Sequence, residues 1–120
     1  MKQPLTIAGA ALFAALATLS PGSRATADAA PRIVSITAKR FEFLPRELKL
    51  KKGETVTIHL TSEDVAHGFF NRKLKIDAEI PAGQSTDVTI TPQQEGRYLI
   101  ICDHFCGALH GNMHMSVDVE

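Results

Sequence analysis

The chain has 120 residues, 44% of them hydrophobic, with 13 Lys and Arg against 13 Asp and Glu. That length suits a single domain. A formal net charge of zero at pH 7 excludes the strongly basic footprint of a nucleic-acid binder.

Met1-Lys2 supplies a positive start, and residues 5–19 form an uncharged, alanine-rich apolar run. Ser20-Pro21-Gly22 breaks this run, and Ala25-Thr26-Ala27 offers a small-x-small cleavage site. This is the layout of a secretory signal peptide over residues 1–27, which leaves a mature domain of residues 28–120 in the periplasm or otherwise exported. A retained membrane anchor facing the periplasm is the competing reading. Its apolar run is only 15 residues long, and a spanning helix needs about 20. Without Lys2 and Arg24, 11 basic residues face 13 acidic ones, a net charge of −2. The basic clusters at 46–52 and 72–75 read as solvated strand faces.

Residues 28–32 read as a short tether. From there the pattern is of strands separated by turn signals. Residues 32–38 hold the β-favouring Ile33, Val34, Ile36 and Thr37. Leu48 and Leu50 alternate with Glu47, Lys49 and Lys51, and Lys52-Gly53-Glu54 is a turn. Residues 55–61 alternate strictly, with Val56, Ile58 and Leu60 on one face and Thr55, Thr57, His59 and Thr61 on the other. That period marks a half-buried strand. Pro81-Ala82-Gly83 marks another turn before Val88 and Ile90, and residues 92–96 form a loop. A strand at 97–101 runs directly into Cys102. In the last strand Met115, Val117 and Val119 alternate with Ser116, Asp118 and Glu120. No amphipathic helix follows the leader. Short strands at near-regular spacing with Gly and Pro turns predict an all-β sandwich or barrel.

The chemistry is concentrated at residues 102–113. Cys102, Cys106, His110 and Met113 follow the spacing Cys-x3-Cys-x3-His-x2-Met. No core-packing pattern requires that set, and soft sulfur donors combined with imidazole are what copper prefers. A structural disulfide would explain the two cysteines of an exported protein, but not His110 and Met113. A reversible Cys102–Cys106 disulfide in the metal-free form is a separate reading. His67, between Val65-Ala66 and Gly68-Phe69-Phe70, is placed at a sandwich end near the core. A lone His there is commonly a packing residue, but the sulfur-rich loop calls for a further imidazole. The two thiolates can bridge two metals, His67 and His110 can each bind one copper, and Met113 can be a weak axial donor. The main-chain carbonyl of His104 can fill the other axial position. Its ring is a less favoured donor. Asp64 and Asp103 are candidates to orient a ligand imidazole, the plainer reading being exposed loop acids. His59 and His114 are expected to face solvent, and Met115 the core.

These residues resemble the binuclear copper A site of cytochrome oxidase subunit II, with its pattern Cys-x-Glu-x-Cys-Gly-x-x-His-x-x-Met. The likeness extends upstream in order. Pro45-Arg-Glu-Leu-Lys-Leu-Lys-Lys-Gly-Glu-Thr-Val-Thr resembles the strand and turn before the first ligand. Asp64-Val-Ala-His67-Gly-Phe resembles Asp-Val-x-His-Ser-Phe. Asp77-Ala-Glu-Ile-Pro-Ala-Gly resembles the family's Asp-Ala-x-Pro-Gly turn, and Gly96-Arg-Tyr-Leu-Ile-Ile-Cys102 the strand entering the metal loop. The resemblance implies a Greek-key cupredoxin-like β-sandwich with two copper ions per chain. His104 stands where the family has Glu or Gln. The chain has no Trp, and only Phe41 and Phe43 occupy the stretch that corresponds to the family's tryptophan-rich segment. The family's membrane helices are matched only by the short leader, so the chain resembles the copper domain freed from the oxidase.

The leading functional reading is an exported electron-transfer protein with a copper A centre. Its partner would be a redox protein such as a c-type cytochrome or a terminal oxidase or reductase. A small apolar patch of Gly107, Ala108, Leu109 and Gly111 around His110 would be the docking point. One alternative is a minimal subunit II component feeding a separate haem-copper subunit. Another is a periplasmic copper carrier. A membrane is involved only if the leader is retained. The chain is not expected to be an enzyme on its own: it shows no nucleophile–base pair, carboxylate pair or phosphate loop.

Overall fold

A computed structural model describes residues 9–11, 14–15, 31–104, 107 and 110–120, without the side chain of His110. The expected leader at 1–27 lies almost wholly outside the described residues, as do Cys106, Ala108 and Leu109. Among the described residues no helix is long and apolar enough to cross a membrane.

Among those residues the chain forms nine strands: β1 (Arg32–Lys39), β2 (Glu42–Leu44), β3 (Glu47–Leu50), β4 (Val56–Ser62), β5 (His67–Asn71), β6 (Ile76–Ile80), β7 (Ser85–Ile90), β8 (Gly96–Ile101) and β9 (His114–Val119). A 3-10 turn, His110–Asn112, precedes β9. The strands make two sheets, ordered β2-β1-β4-β7 and β3-β9-β8-β5-β6. β1 and β4 run parallel, as do β3 and β9, and the other pairs are antiparallel. This is the all-β sandwich expected from the alternation.

The alternation also sets the core. Val56, Ile58 and Leu60 of β4 are buried against Ile36 of β1, Phe69 of β5, Ile100 of β8 and Val117 of β9. The rings of Phe43 and Phe69 meet edge-on with centroids 5.5 Å apart, a favoured aromatic geometry. The polar face of β4 pairs across to β7 and its flank: Thr57 with Thr89 at 3.0 Å, Thr55 with Thr91 at 2.9 Å, and His59 Nδ1 with Asp87 at 2.6 Å. Met115 is buried and His114 exposed, as the alternation predicts.

Three strands escape the sequence pattern. β2 has only three residues before Pro45, too few to show a period. β5 opens with His67-Gly68, a pair that reads as loop. Residues 77–80, likened above to a turn, lie in β6. There Ile76 and Ile80 face the core and Asp77 and Glu79 face outward. The chain reverses only after Pro81, where Gln84 N–H bonds the Pro81 carbonyl at 3.3 Å and Gly83 takes a φ of 70°. That positive φ suits glycine.

Candidate metal centre

Three candidate donors come from neighbouring strands by a single rule, the two-residue period of a strand. On β5 the inward set is Phe69 and His67. On β8 it is Ile100, continued past the strand end by Cys102. On β9 it is Met115, preceded by Met113. All are essentially buried, with His67 0%, Cys102 3% and Met113 1% exposed. Register aligns the three ends. Ile101 pairs with His114 and with Phe70, and one step beyond, Cys102 N–H bonds the Met113 carbonyl at 3.2 Å. Gly68 N–H reaches Cys102 Sγ at 3.3 Å, which places the residue after His67 against the sulfur.

The loop before His67 is tied to the end of β1. Arg40 N–H donates to Asp64 Oδ2 at 2.8 Å, and Val65 N–H donates to Oδ1 at 2.6 Å. Ser62 Oγ donates to the Val65 carbonyl. His67 Nε2 lies 2.7 Å from Asp64 Oδ1. Burial pushes the Asp64 carboxyl up, but the Arg40 N–H, the His67 ring and the Val65 N–H together outweigh it and hold the pKa at about 2. Asp64 is thus ionised at neutral pH, and an ionised carboxylate only accepts. Nε2 is therefore the donor in this contact, and in the neutral tautomer that a metal ligand requires Nδ1 carries the lone pair. Nδ1 is buried and has no hydrogen-bond partner among the described residues. A buried polar atom without a partner calls for an explanation, and a ligand nitrogen whose other ring N–H is held by a carboxylate is the usual arrangement in metal sites. Asp64 is thus an exposed loop acid, as the plainer reading had it, and its carboxylate also holds the buried His67 ring at Nε2.

The Cys102 thiol lies 3.1 Å from the His104 carbonyl oxygen, so that carbonyl does stand beside the sulfur. The His104 ring turns the other way: Nδ1 meets Asp103 Oδ1 at 3.0 Å and the side chain is 42% exposed. Among the described residues no three His, Cys, Asp or Glu side chains converge as a metal cluster. The described donors are one imidazole nitrogen, one sulfur, one thioether residue and one carbonyl, and this soft, mixed set fits copper. Cys106 lies outside the described residues, and the side chain of His110 is not described.

Of the two phenylalanines noted above, Phe43 is fully buried in the core. Phe41 is half-buried, and its ring presses on Gly107, where an added Cβ would come within 2.8 Å of Cζ. Sequence reasoning passed over Gly68. Only with β5 in place does Gly68 stand as a glycine inside a strand, a mark of close backbone approach.

Comparison with known proteins agrees with this architecture. The family profile described as cupredoxin-like domain matches residues 8–116. Nitrous-oxide reductase of Cupriavidus necator is 37% identical over 91 residues, covering 72% of this chain and 14% of that protein. Cytochrome c oxidase subunit 2 of Thermus thermophilus is 32% identical over 87 residues, covering 72% of this chain and 64% of that protein. The chain thus spans less than two thirds of either relative. A chain of a heme-copper terminal oxidase dimer superposes with a TM-score of 0.68 at 26% identity, over 74% of this chain and 65% of that one. The periplasmic domain of subunit II of cytochrome oxidase from Bradyrhizobium japonicum also gives 0.68, at 16% identity over 74% of this chain and 83% of that one, a likeness of fold. The chain belongs to the cupredoxin-like domain family and is homologous to cytochrome c oxidase subunit 2 and nitrous-oxide reductase.

Proposed function

We propose that this chain is an exported electron-transfer domain that holds two copper ions in a copper A centre. The ligands are Nδ1 of His67, the thiolates of Cys102 and Cys106, the His110 imidazole, the Met113 thioether and the His104 carbonyl. The observation that carries the reading is the buried His67 ring, with Nε2 on Asp64 and Nδ1 without a partner among the described residues, on the strand whose next residue donates to Cys102 Sγ. Copper held by these residues would supply one-electron chemistry, and two ions sharing that electron would spread the charge change over both. The chain's own residues do the rest. Asp64 keeps the proton on Nε2 and aims the ring, and the sheet ends exclude water from His67, Cys102 and Met113. A rigid sandwich holds that arrangement in both redox states.

The partner class is a redox protein, either a c-type cytochrome or a terminal oxidase or reductase. Similarity to Thermus thermophilus cytochrome c oxidase subunit 2 supports a second reading, a subunit II-like component that feeds a separate catalytic subunit. On its own the domain carries electrons and catalyses nothing. The leader-like start at 1–27 supports a periplasmic location.

Electron paramagnetic resonance of the copper-loaded chain, with copper counted per chain, tests the proposal. Two coppers sharing one unpaired electron is the expected result. A mononuclear signal from one copper overturns it in favour of a blue-copper or carrier protein.

A further inference from the structure

Gly68 is in no ligand set, yet the metal loop is built against it. A Cβ added there would lie 2.5 Å from His104 Nδ1 and 2.8 Å from the Asp103 backbone N, and it would strike the Asp103 carboxylate as well. Real Cβ atoms do not approach so closely, and the backbone nitrogen cannot rotate away. Gly68 is an ordinary strand residue paired with Glu79, and its φ lies outside the left-handed region. The glycine therefore supplies space and not an unusual dihedral. Register explains the crowding: extending the Phe70–Ile101 pair by two residues on each strand sets Gly68 opposite Asp103.

The same residue acts on the sulfur, because its N–H donates to Cys102 Sγ at 3.3 Å. The geometry points to Gly68 as a positioning residue for the metal loop. The space left by its missing side chain seats Asp103 and His104, and that seat holds the His104 carbonyl beside Cys102 Sγ while the Gly68 N–H bonds the same sulfur. His104, where the family has Glu or Gln, is a bulkier side chain, and Gly68 is what lets it fold over the strand. This inference rests on the copper reading above.

The test compares four proteins: the natural chain, Gly68→Ala, the Asp103→Gly/His104→Gly double variant, and all three substitutions together. Copper per chain, copper affinity by chelator competition, the electron paramagnetic resonance pattern and metal-free melting temperature are read for each. Gly68→Ala is expected to weaken copper binding about tenfold or more and to change the hyperfine pattern of the copper that remains. With Asp103 and His104 both glycine, the same substitution is expected to cost less than roughly threefold, because interacting sites do not add. Equal losses in both backgrounds overturn the seat. So does a Gly68→Ala protein whose melting temperature falls while its copper spectrum and affinity stay natural, since that is packing alone. In the metal-free natural chain, nuclear Overhauser contacts from the Gly68 α-protons to the His104 ring are expected. Their absence overturns the seat whatever copper does. Failure of the natural chain to take up two coppers, with those contacts present, instead sinks the copper A reading.

Discussion

His67 Nε2 donates to Asp64 Oδ1 at 2.7 Å, and this contact decides which ring nitrogen keeps its lone pair. The carboxylate is held in turn by the Arg40 and Val65 amides, so the orientation of a buried imidazole depends on the turn between β1 and β2. Replacing Asp64 by Ala removes the acceptor while leaving every proposed ligand in place. Copper affinity is expected to fall about 10- to 100-fold, measured by chelator competition. An affinity equal to that of the natural chain would show that Asp64 does not orient the ligand.

The same carboxylate gives the metal-free fold an acid sensitivity with a definite sign. Its folded pKa of about 2 lies below the ordinary 3.8, so Asp64 binds protons more readily in the unfolded chain. The stability it contributes is fully present above the ordinary value and is lost as pH falls from about 4 toward 2. Urea unfolding of the metal-free natural chain and of Asp64→Asn is expected to show a stability gap that narrows across that window. A gap that does not change with pH would contradict the linkage.

The Phe43–Phe69 pair is the aromatic centre of the core, with both rings fully buried. Phe43→Ala is expected to cost about 3–5 kcal/mol of unfolding free energy, read from the denaturant midpoint. A loss below roughly 1 kcal/mol would mean that the cavity closes by collapse of its neighbours.

His59 and Asp87 form a close pair at 2.6 Å on the outer face of the β4–β7 ladder, with side chains 39% and 62% exposed. Water and salt screen such a pair, so a double-mutant cycle is expected to give a coupling of only about 0.2–1 kcal/mol. The coupling should shrink further in high salt. A larger, salt-resistant value would contradict that placement.

The sandwich was legible in the chain alone, and so was the donor spacing from which the copper proposal starts. A period of two is local, so Val56, Ile58 and Leu60, or Met115, Val117 and Val119, announce a buried strand face with no knowledge of their partners. The Cys-x3-Cys-x3-His-x2-Met spacing is equally local, because the donors share one loop. Tertiary structure decided what depends on which strands become neighbours. His67 is 35 residues from Cys102 in the chain, and only the β5–β8 and β8–β9 registers bring His67, Cys102 and Met113 to one sheet end with their side chains inward. The role of Asp64 depends on an amide from Arg40, and that of Gly68 on Asp103 folding over it. Neither contact leaves a periodic trace, because a single close approach between distant segments fixes one residue and imposes no pattern on its neighbours.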